Sequence, residues 1–142
     1  MSPQETEIHQ CIDAWLQALR GKQLARMLAD YDERIVVFDV KPPFQIRGQA
    51  AIRQHWEESL PCFPDEFDYE RRDARILHSG DLAVAHWIFH IVGWPAGHPA
   101  AQMWMRATVV LERREGRWCS VHEHVSVPFD PENGRPVGDP GR

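Results

Sequence analysis

The stretch Leu82–Trp94, LAVAHWIFHIVGW, decides the fold of this chain. Branched and aromatic side chains dominate it, as in β-strands, and no glycine or proline interrupts it before its end. Three more long segments of this kind surround it: Phe67–Leu77, Gln102–Arg114 and Arg117–Phe129. The separators HSGD, PAGHPA and REG are rich in turn residues. The second half of the chain is therefore predicted to form antiparallel hairpins.

The first half of the chain has helical patterns instead. Apolar residues recur at helical spacing over Ile8–Leu19, and Gly21 follows where a helix C-terminus favours glycine. A short second helix is predicted over Leu24–Leu28, and a third within residues 49–60. Between them, the run Ile35–Val40 (IVVFDV) is typical of a short strand.

This order predicts an α+β fold, with three N-terminal helices covering one face of a single sheet. Strands this long must curl, so the sheet is expected to be strongly curved, antiparallel or mixed. The predicted shape is a cone-shaped single domain, residues 1–130, that encloses a pocket between sheet and helices. The segment 131–142 has little apolar content and is predicted to be a flexible tail.

Charge and composition disfavour several functional classes. The chain has 16 basic and 21 acidic residues, a net charge of -5 and no long basic run, so nucleic acid is not an expected partner. Acidic residues interrupt the first twenty positions, which have neither the charge pattern of a signal peptide nor the apolar run of a membrane span. We therefore expect a cytoplasmic protein that does not bind membranes.

Metal and disulfide chemistry have weak support in the sequence. The three cysteines are scattered and form no C-x-x-C pair. His122 and His124, with His86 or His90 as a third imidazole, provide ligand types for a metal. No H-E-x-x-H helix or Cys/His spacing accompanies them, so neither a metal nor another cofactor is predicted.

Several strings carry a resemblance to a known family: AWLQAL, LADYDERIVVFDV, RGQAAIRQHW, GDLAVAHW and GRWCSVHEHVS. Together they resemble the SnoaL-like, ketosteroid-isomerase-like branch of the nuclear transport factor two-like superfamily, from about Ile8 to Phe129. The resemblance implies a curved sheet wrapped around a long helix. It does not identify a reaction, because this superfamily includes isomerases, cyclases, dehydratases and non-catalytic association domains.

Asp39 is the candidate catalytic base. The string YDERIVVFDV resembles the segment in which ketosteroid isomerases carry their aspartate, and an aspartate beside Phe38 at an apolar cavity would be partly desolvated. The alternative is a strand-end carboxylate that accepts backbone hydrogen bonds. The isomerase oxyanion donors are missing, since Trp15 stands at the tyrosine position and no acid lies between Met103 and Leu111. Steroid isomerisation is therefore not predicted.

The last strand contains three titratable residues in succession. It is similar to the end of the calcium/calmodulin kinase association domain, which implies that Cys119, Val121, Glu123 and Val125 face the cavity. Since side chains alternate along a strand, His122 and His124 would then face outward, where family members commonly dimerise.

The same resemblance places His90 in the cavity, and strand parity adds His86. His90 and Glu123 would there form a polar pair that holds or protonates a ligand oxygen. The alternative is that both are satisfied hydrogen-bond partners in a wet core.

The remaining candidates belong either to the ligand wall or to an interface. Trp15, Trp56, Phe38, His86 and Met105 are predicted ligand contacts. An outer sheet face with large aromatic groups would be too apolar to leave exposed, so a homodimer through the sheet is predicted. The predicted interface residues are Trp87, Trp104, Arg106, His122 and His124. For Arg106 an alternative stays open, namely an anion clamp inside the cone.

The sequence thus predicts a pocket protein that binds a small apolar organic molecule. If it is catalytic, Asp39 would move a proton with help from His90 or Glu123, as in an isomerase, dehydratase or cyclase. The alternative is a non-catalytic ligand-binding or homo-association module.

Overall fold

Three helices precede the long strands in the computed structural model, which describes residues 1–141. They are α1 (Pro3–Arg20), α2 (Leu24–Leu28) and α3 (Gln49–Ser59), and a short 3-10 turn (Leu60–Cys62) follows α3. The Ser2 side chain caps α1 by accepting a hydrogen bond from the Glu5 backbone N–H.

Six strands form one mixed sheet. They are β1 (Tyr31–Phe38), β2 (Ile46–Arg47), β3 (Asp68–Ser79), β4 (Leu82–Val92), β5 (Met105–Arg114) and β6 (Arg117–Ser126). Their order across the sheet is β2-β1-β6-β5-β4-β3, and all neighbours are antiparallel except β1 and β6, which are parallel. The α+β architecture is as predicted. The early strand β1 begins at Tyr31 rather than at the predicted Ile35, and the short strand β2 pairs with it at one edge of the sheet.

The core lies between α1 and the inward face of the long strands. Ile8, Leu16 and Leu19 on α1 are almost fully buried, and they belong to one apolar cluster with alternate residues of β4 and β5. A second apolar cluster joins β1 to α3 through Ile35 and Ile52. Burial of side chains of this size stabilises the fold by about 1.5–3 kcal/mol each.

The strands alternate between faces, and irregularities shift that alternation. In β6, Val110 pairs with His122 but Leu111 pairs with Ser120, so Val121 is an extra residue in a β-bulge. Trp118 and Ser120 are buried before the bulge, and Glu123 and Val125 line the interior after it. The predicted cavity positions of Cys119 and Val121 are therefore wrong, whereas those of Glu123 and Val125 agree with the structure.

Hydrogen bonds hold the C-terminal segment against the rest of the fold. The Trp104 backbone N–H donates to the Gly138 carbonyl at 2.9 Å, and Val137 N–H donates to the Pro128 carbonyl at 2.7 Å. Phe129 and Pro136 also form an isolated β-bridge. The flexibility predicted for 131–142 stays a prediction, and residue 142 lies outside the described residues.

Candidate functional site

A cavity of about 250 Å³ lies between the concave face of the sheet and helices α1 and α3. Most of its wall is carbon, contributed by aliphatic and aromatic side chains. Five strands supply inward residues, among them Val37, Tyr69, Phe89, Ala107 and Val125. Small-molecule sites are typically of this kind, an apolar cleft with a few polar groups at defined positions.

Asp39 and His55 form a polar pair in the cavity wall. The His55 Nε2 atom lies 2.7 Å from Asp39 Oδ2, and the two side chains are only 9% and 19% exposed. Asp39 comes directly after β1, and its Oδ1 accepts a hydrogen bond from the Val40 N–H at 2.7 Å. Two groups thus hold the carboxylate in place, the His55 imidazole and the Val40 backbone N–H.

Two further hydrogen bonds join the end of α3 to Lys41 beside this pair. The Ser59 hydroxyl donates to the His55 carbonyl at 2.7 Å, which fixes the last turn of α3. Lys41 Nζ donates to the same hydroxyl oxygen at 2.7 Å, and Lys41 is exposed at the cavity wall. This side of the cavity is therefore polar.

Glu123 is the centre of a second polar cluster in the wall. Its Oε2 accepts a hydrogen bond from the Tyr31 hydroxyl at 3.3 Å, and its Oε1 accepts one from the Ser120 hydroxyl at 3.3 Å. Trp15 Nε1 in turn donates to the Tyr31 oxygen at 2.9 Å. Trp15, Tyr31 and Glu123 thus form a directed hydrogen-bond chain, in which Trp15 donates to Tyr31 and Tyr31 donates to the Glu123 carboxylate.

Burial changes the proton affinity of this cluster. It raises the pKa of Glu123 from 4.5 to about 7, because the charged form is desolvated, and the negative charge of Asp39 adds to the effect. Hydrogen bonds from Tyr31 and Ser120 act in the opposite direction. Burial also raises the pKa of Tyr31 well above its usual value, so the phenol keeps its proton. Near neutral pH the Glu123 carboxyl can therefore both hold and release a proton.

The two polar clusters are close enough to contact one small molecule. Val37 pairs with Glu123 across the parallel β1–β6 ladder, and Asp39 lies two residues beyond Val37. With strand dimensions, this places the Cα atoms of Asp39 and Glu123 about 8 Å apart. A ligand of one or two rings would span that distance.

Five of the residues predicted as catalytic groups or ligand contacts line the cavity: Asp39, Glu123, Trp15, Trp56 and Met105. The two tryptophans contact each other edge to face, with ring centroids 6.1 Å apart. The positions of these five side chains agree with the sequence prediction. Their roles stay predictions.

The prediction that His86 and His90 lie in the cavity is wrong. The buried residues of β4 are Ala83, Ala85, Trp87, Phe89 and Ile91, and strand alternation places the two histidines on the opposite, outer face.

His90 instead forms a pair with Glu70 of β3, with Nε2 and Oε2 3.1 Å apart. It therefore cannot assist Glu123 in the cavity.

The same alternation corrects two aromatic residues. Trp87 was predicted at the interface, but it is 5% exposed, lines the cavity and donates from Nε1 to the Tyr69 hydroxyl at 2.9 Å. Phe38 was predicted as a ligand contact, but it packs on the outer face against His122 and His124. Phe38 and Asp39 are adjacent in an extended chain, so both cannot face the cavity.

The other predicted interface residues lie outside the cavity. Trp104 packs between His90 and Arg72, each 4.1 Å from its ring centroid. Arg106 donates to the Ser126 hydroxyl at 3.1 Å and lines a shallow outer depression, so an anion clamp inside the cone is excluded. His122 Nδ1 lies 2.7 Å from the Val36 carbonyl oxygen.

Sequence reasoning missed His55 and Tyr31, although the sequence contains a signal for each. His55 lies three residues after Ile52 on α3, hence on the buried face of that helix. Tyr31 has the same strand parity as Ile35, Val37 and Asp39, all of which face inward. The sequence predicted that this strand begins at Ile35, so Tyr31 was not assigned to either face of it.

Within residues 1–141, no cluster of three or more His, Cys, Asp or Glu side chains has the arrangement of a metal site. None of the helices described there is long and apolar enough to cross a membrane.

A family model for the SnoaL-like domain matches residues 8–130. The chain belongs to the SnoaL-like family. It is a member of the nuclear transport factor two-like (NTF2-like) superfamily, as predicted. No match is found among curated proteins.

Solved structures agree with this membership. An NTF2-like protein of unknown function from Pseudomonas putida KT2440 is 35% identical, with a TM-score of 0.86 over 95% of this chain and 94% of that one.

Two more distant structures share the fold. A candidate dehydratase of the NTF2-like family from Streptomyces avermitilis is 14% identical, with a TM-score of 0.71 over 88% of this chain and 97% of that one. A candidate calcium/calmodulin-dependent protein kinase type II association domain from Thiobacillus denitrificans is 19% identical, with a TM-score of 0.68 over 84% and 93%. These proteins thus share a fold, although their names indicate different functions.

Proposed function

We propose that this SnoaL-like protein binds a small, largely apolar organic molecule in its cavity and catalyses proton transfer on it. The reaction class is an isomerisation, a dehydration or a cyclisation, with Asp39 as the base. Steroid isomerisation is not proposed, because no acid lies among the residues of β5 that face the cavity. The proposed roles replace His90 with His55 as the partner of Asp39.

One observation carries this proposal: a carboxylate in an apolar cavity wall has its oxygen 2.7 Å from an imidazole nitrogen. A carboxylate beside a substrate C–H group can accept its proton as a general base, and the imidazole holds that carboxylate in position. The second carboxyl, Glu123, has a pKa raised to about 7 and can act as the acid. Two titratable groups in different environments beside one substrate are typical of acid–base catalysis.

The test combines a binding screen with a proton-exchange assay. Small cyclic ketones, phenols and carboxylic acids would be screened by thermal shift against wild type and Asp39→Asn. Each ligand found would then be incubated in D2O with either protein, and NMR would follow replacement of its C–H hydrogens by deuterium. Asp81→Asn is the matched control, because Asp81 pairs with Arg113 on the exposed surface away from the cavity.

We expect ligands to stabilise all three proteins, since the apolar wall remains intact. Deuterium incorporation should proceed with wild type and Asp81→Asn and fall by about 100-fold or more with Asp39→Asn. Binding without any incorporation by wild type would instead support the non-catalytic ligand-binding module. Equal exchange rates in wild type and Asp39→Asn would remove Asp39 as the base.

We also propose that two copies associate through the outer sheet face. Leu82 and Val92 at opposite ends of β4 are 49% and 42% exposed on this face, and Trp104 stacks with His90 near the Val92 end. Sedimentation should give twice the chain mass of 16.5 kDa for wild type and the monomer mass for Ile88→Lys. Phe44→Lys, which changes a fully exposed aromatic residue in the β1–β2 loop, should leave the dimer unchanged. A monomeric wild type would contradict the proposal.

A further inference from the structure

One edge of the cavity carries a lysine that no carboxylate neutralises. Lys41 is exposed and also lines the cavity, as do its neighbour Val40 and Cys62 after α3, so these side chains mark the cavity mouth. Within residues 1–141, Lys41 forms no ion pair with an Asp or Glu side chain. Other unpaired cations lie on the open surface, whereas Lys41 and Arg26 belong to the cavity wall.

A buried hydroxyl fixes the position of the Lys41 ammonium group. Nζ donates to Ser59 Oγ at 2.7 Å, and Ser59, which is 4% exposed, donates its own proton to the His55 carbonyl. An ammonium group has three N–H donors, and this contact uses one of them. Two donors and the positive charge therefore remain available at the cavity mouth.

We propose that Lys41 binds the anionic end of the ligand, and that the ligand class is an organic acid with an apolar body and one carboxylate. The inference rests on the proposed ligand cavity and adds the charge of the molecule that enters it. A lysine ammonium is a compact point charge with rotatable donors, so it can pair with a carboxylate in several orientations. One carboxylate matches its single charge.

The interior of the cavity favours the same orientation of the ligand. Two carboxyl groups, Asp39 and Glu123, line it, and the Asp39 charge already acts on Glu123. A ligand carboxylate beside them would add a negative charge in an apolar surrounding, where charge repulsion is poorly screened. At the mouth the same carboxylate would contact Lys41 and keep part of its hydration. An organic acid should therefore enter with its apolar end first.

This orientation also brings the ligand to the proposed base. Lys41 follows Asp39 by two residues, so their Cα atoms are at most about 7 Å apart. Both Asp39 oxygens already have partners, His55 Nε2 and the Val40 N–H, and neither pairs with the ammonium group. A carboxylate held by Lys41 would thus leave the neighbouring carbons of the ligand beside Asp39.

The experiment compares two ligands of similar shape that differ in charge. 2-Naphthylacetate and 2-naphthylacetamide share one apolar body, and calorimetry at neutral pH would measure both affinities for wild type, Lys41→Met, Lys22→Met and Arg26→Met. Lys22→Met is the matched control, because Lys22 also donates to a neutral oxygen, the Phe63 carbonyl at 3.3 Å, but does not line the cavity. Arg26→Met removes the other cation of the wall.

We expect wild type, Lys22→Met and Arg26→Met to bind the acid about tenfold more tightly than the amide, the scale of one hydrogen bond to a charged group. Lys41→Met should reduce this ratio to about twofold or less and leave the affinity for the amide nearly unchanged. No binding of the acid, equal affinities in wild type, an acid preference that survives in Lys41→Met, or one that is lost in Arg26→Met instead would each overturn the proposal.

NMR assigns the contact to one side chain. Lys22 and Lys41 are the two lysines of the sequence, so labelling lysine with 13C gives two Cε signals, and Lys41→Met identifies one of them. The acid should shift the Lys41 signal more than the amide does and leave the Lys22 signal unchanged. A Lys41 signal that does not move with the acid would contradict the proposal.

Failure here is distinguishable from failure of the proposed reaction. An acid preference that depends on Lys41, without deuterium incorporation into any ligand of the screen, would keep the anion site and remove the proton transfer. Incorporation that depends on Asp39, with the acid and the amide bound equally, would do the reverse.

Discussion

The raised pKa of Glu123 predicts a specific dependence of stability on pH. The folded-state pKa is about 7 and the ordinary value is 4.5, so the unfolded chain releases this proton at lower pH than the folded protein does. Below about pH 4.5 the Glu123 carboxyl is neutral in both states, so its titration does not lower the unfolding free energy. As the pH rises from 4.5 to 7 the folded state loses stability relative to the unfolded state, and above pH 7 the loss is complete.

The magnitude follows from these two values. Between pH 5 and pH 8 the linkage contribution changes by about 2.5 kcal/mol, a large part of the stability of a domain of this size. Glu123→Gln removes the titration but keeps an amide of similar shape beside Tyr31 and Ser120. The free-energy cost of the hydrogen bonds that this substitution alters does not vary with pH. The difference in unfolding free energy between the two proteins therefore isolates the Glu123 proton.

Urea denaturation of wild type and Glu123→Gln at pH 5, 6, 7 and 8 measures this difference. We expect the unfolding free energy of Glu123→Gln to rise by about 2.5 kcal/mol relative to that of wild type from pH 5 to pH 8, with most of the change below pH 7. Asp81→Asn changes an exposed ion pair, so its unfolding free energy should vary with pH nearly as that of wild type does. A difference between Glu123→Gln and wild type that stays constant from pH 5 to pH 8 would refute the reasoning.

Two further predictions concern the packing that shapes the cavity. Trp87→Phe should lower the unfolding free energy by about 1–3 kcal/mol, because it leaves the buried Tyr69 hydroxyl without its indole donor. Denaturation of the double variant Trp87→Phe/Tyr69→Phe should show a smaller loss than the sum of the single variants, and an additive result would contradict the pairing. Leu111→Ala, at a side chain only 1% exposed, should cost about 2–5 kcal/mol by denaturation, and a cost under 1 kcal/mol would contradict its place in the core.

The element order was predictable because local chemistry fixes it. Apolar spacing on α1, glycine after its end and the branched residues of β4 all indicate one architecture. The boundaries of β1 were less accessible, since Tyr31 lies in an acidic segment that resembles a loop. Its place in the strand depends on pairing with β6, a contact distant in sequence.

Strand faces were the main source of error at the site. For β4 the apolar pattern of Trp87, Phe89 and Ile91 contained the correct inward face, but the similarity to another domain favoured the histidines. For β6 one bulge at Val121 changes the face, and only the pairing with β5 reveals it. Contacts such as Asp39–His55 join a strand to a helix and have no signature in sequence spacing.

The central claim is that one ligand contacts both polar clusters of the cavity, with a carbon that carries an exchangeable hydrogen at Asp39 and an oxygen at Glu123. A crystal structure of the protein with a small cyclic ketone bound tests it most directly. We predict the ketone oxygen within about 3.2 Å of a Glu123 carboxyl oxygen and the adjacent carbon within about 3.5 Å of an Asp39 carboxylate oxygen. A ketone bound away from Asp39 and Glu123, or located outside this cavity, would contradict the account.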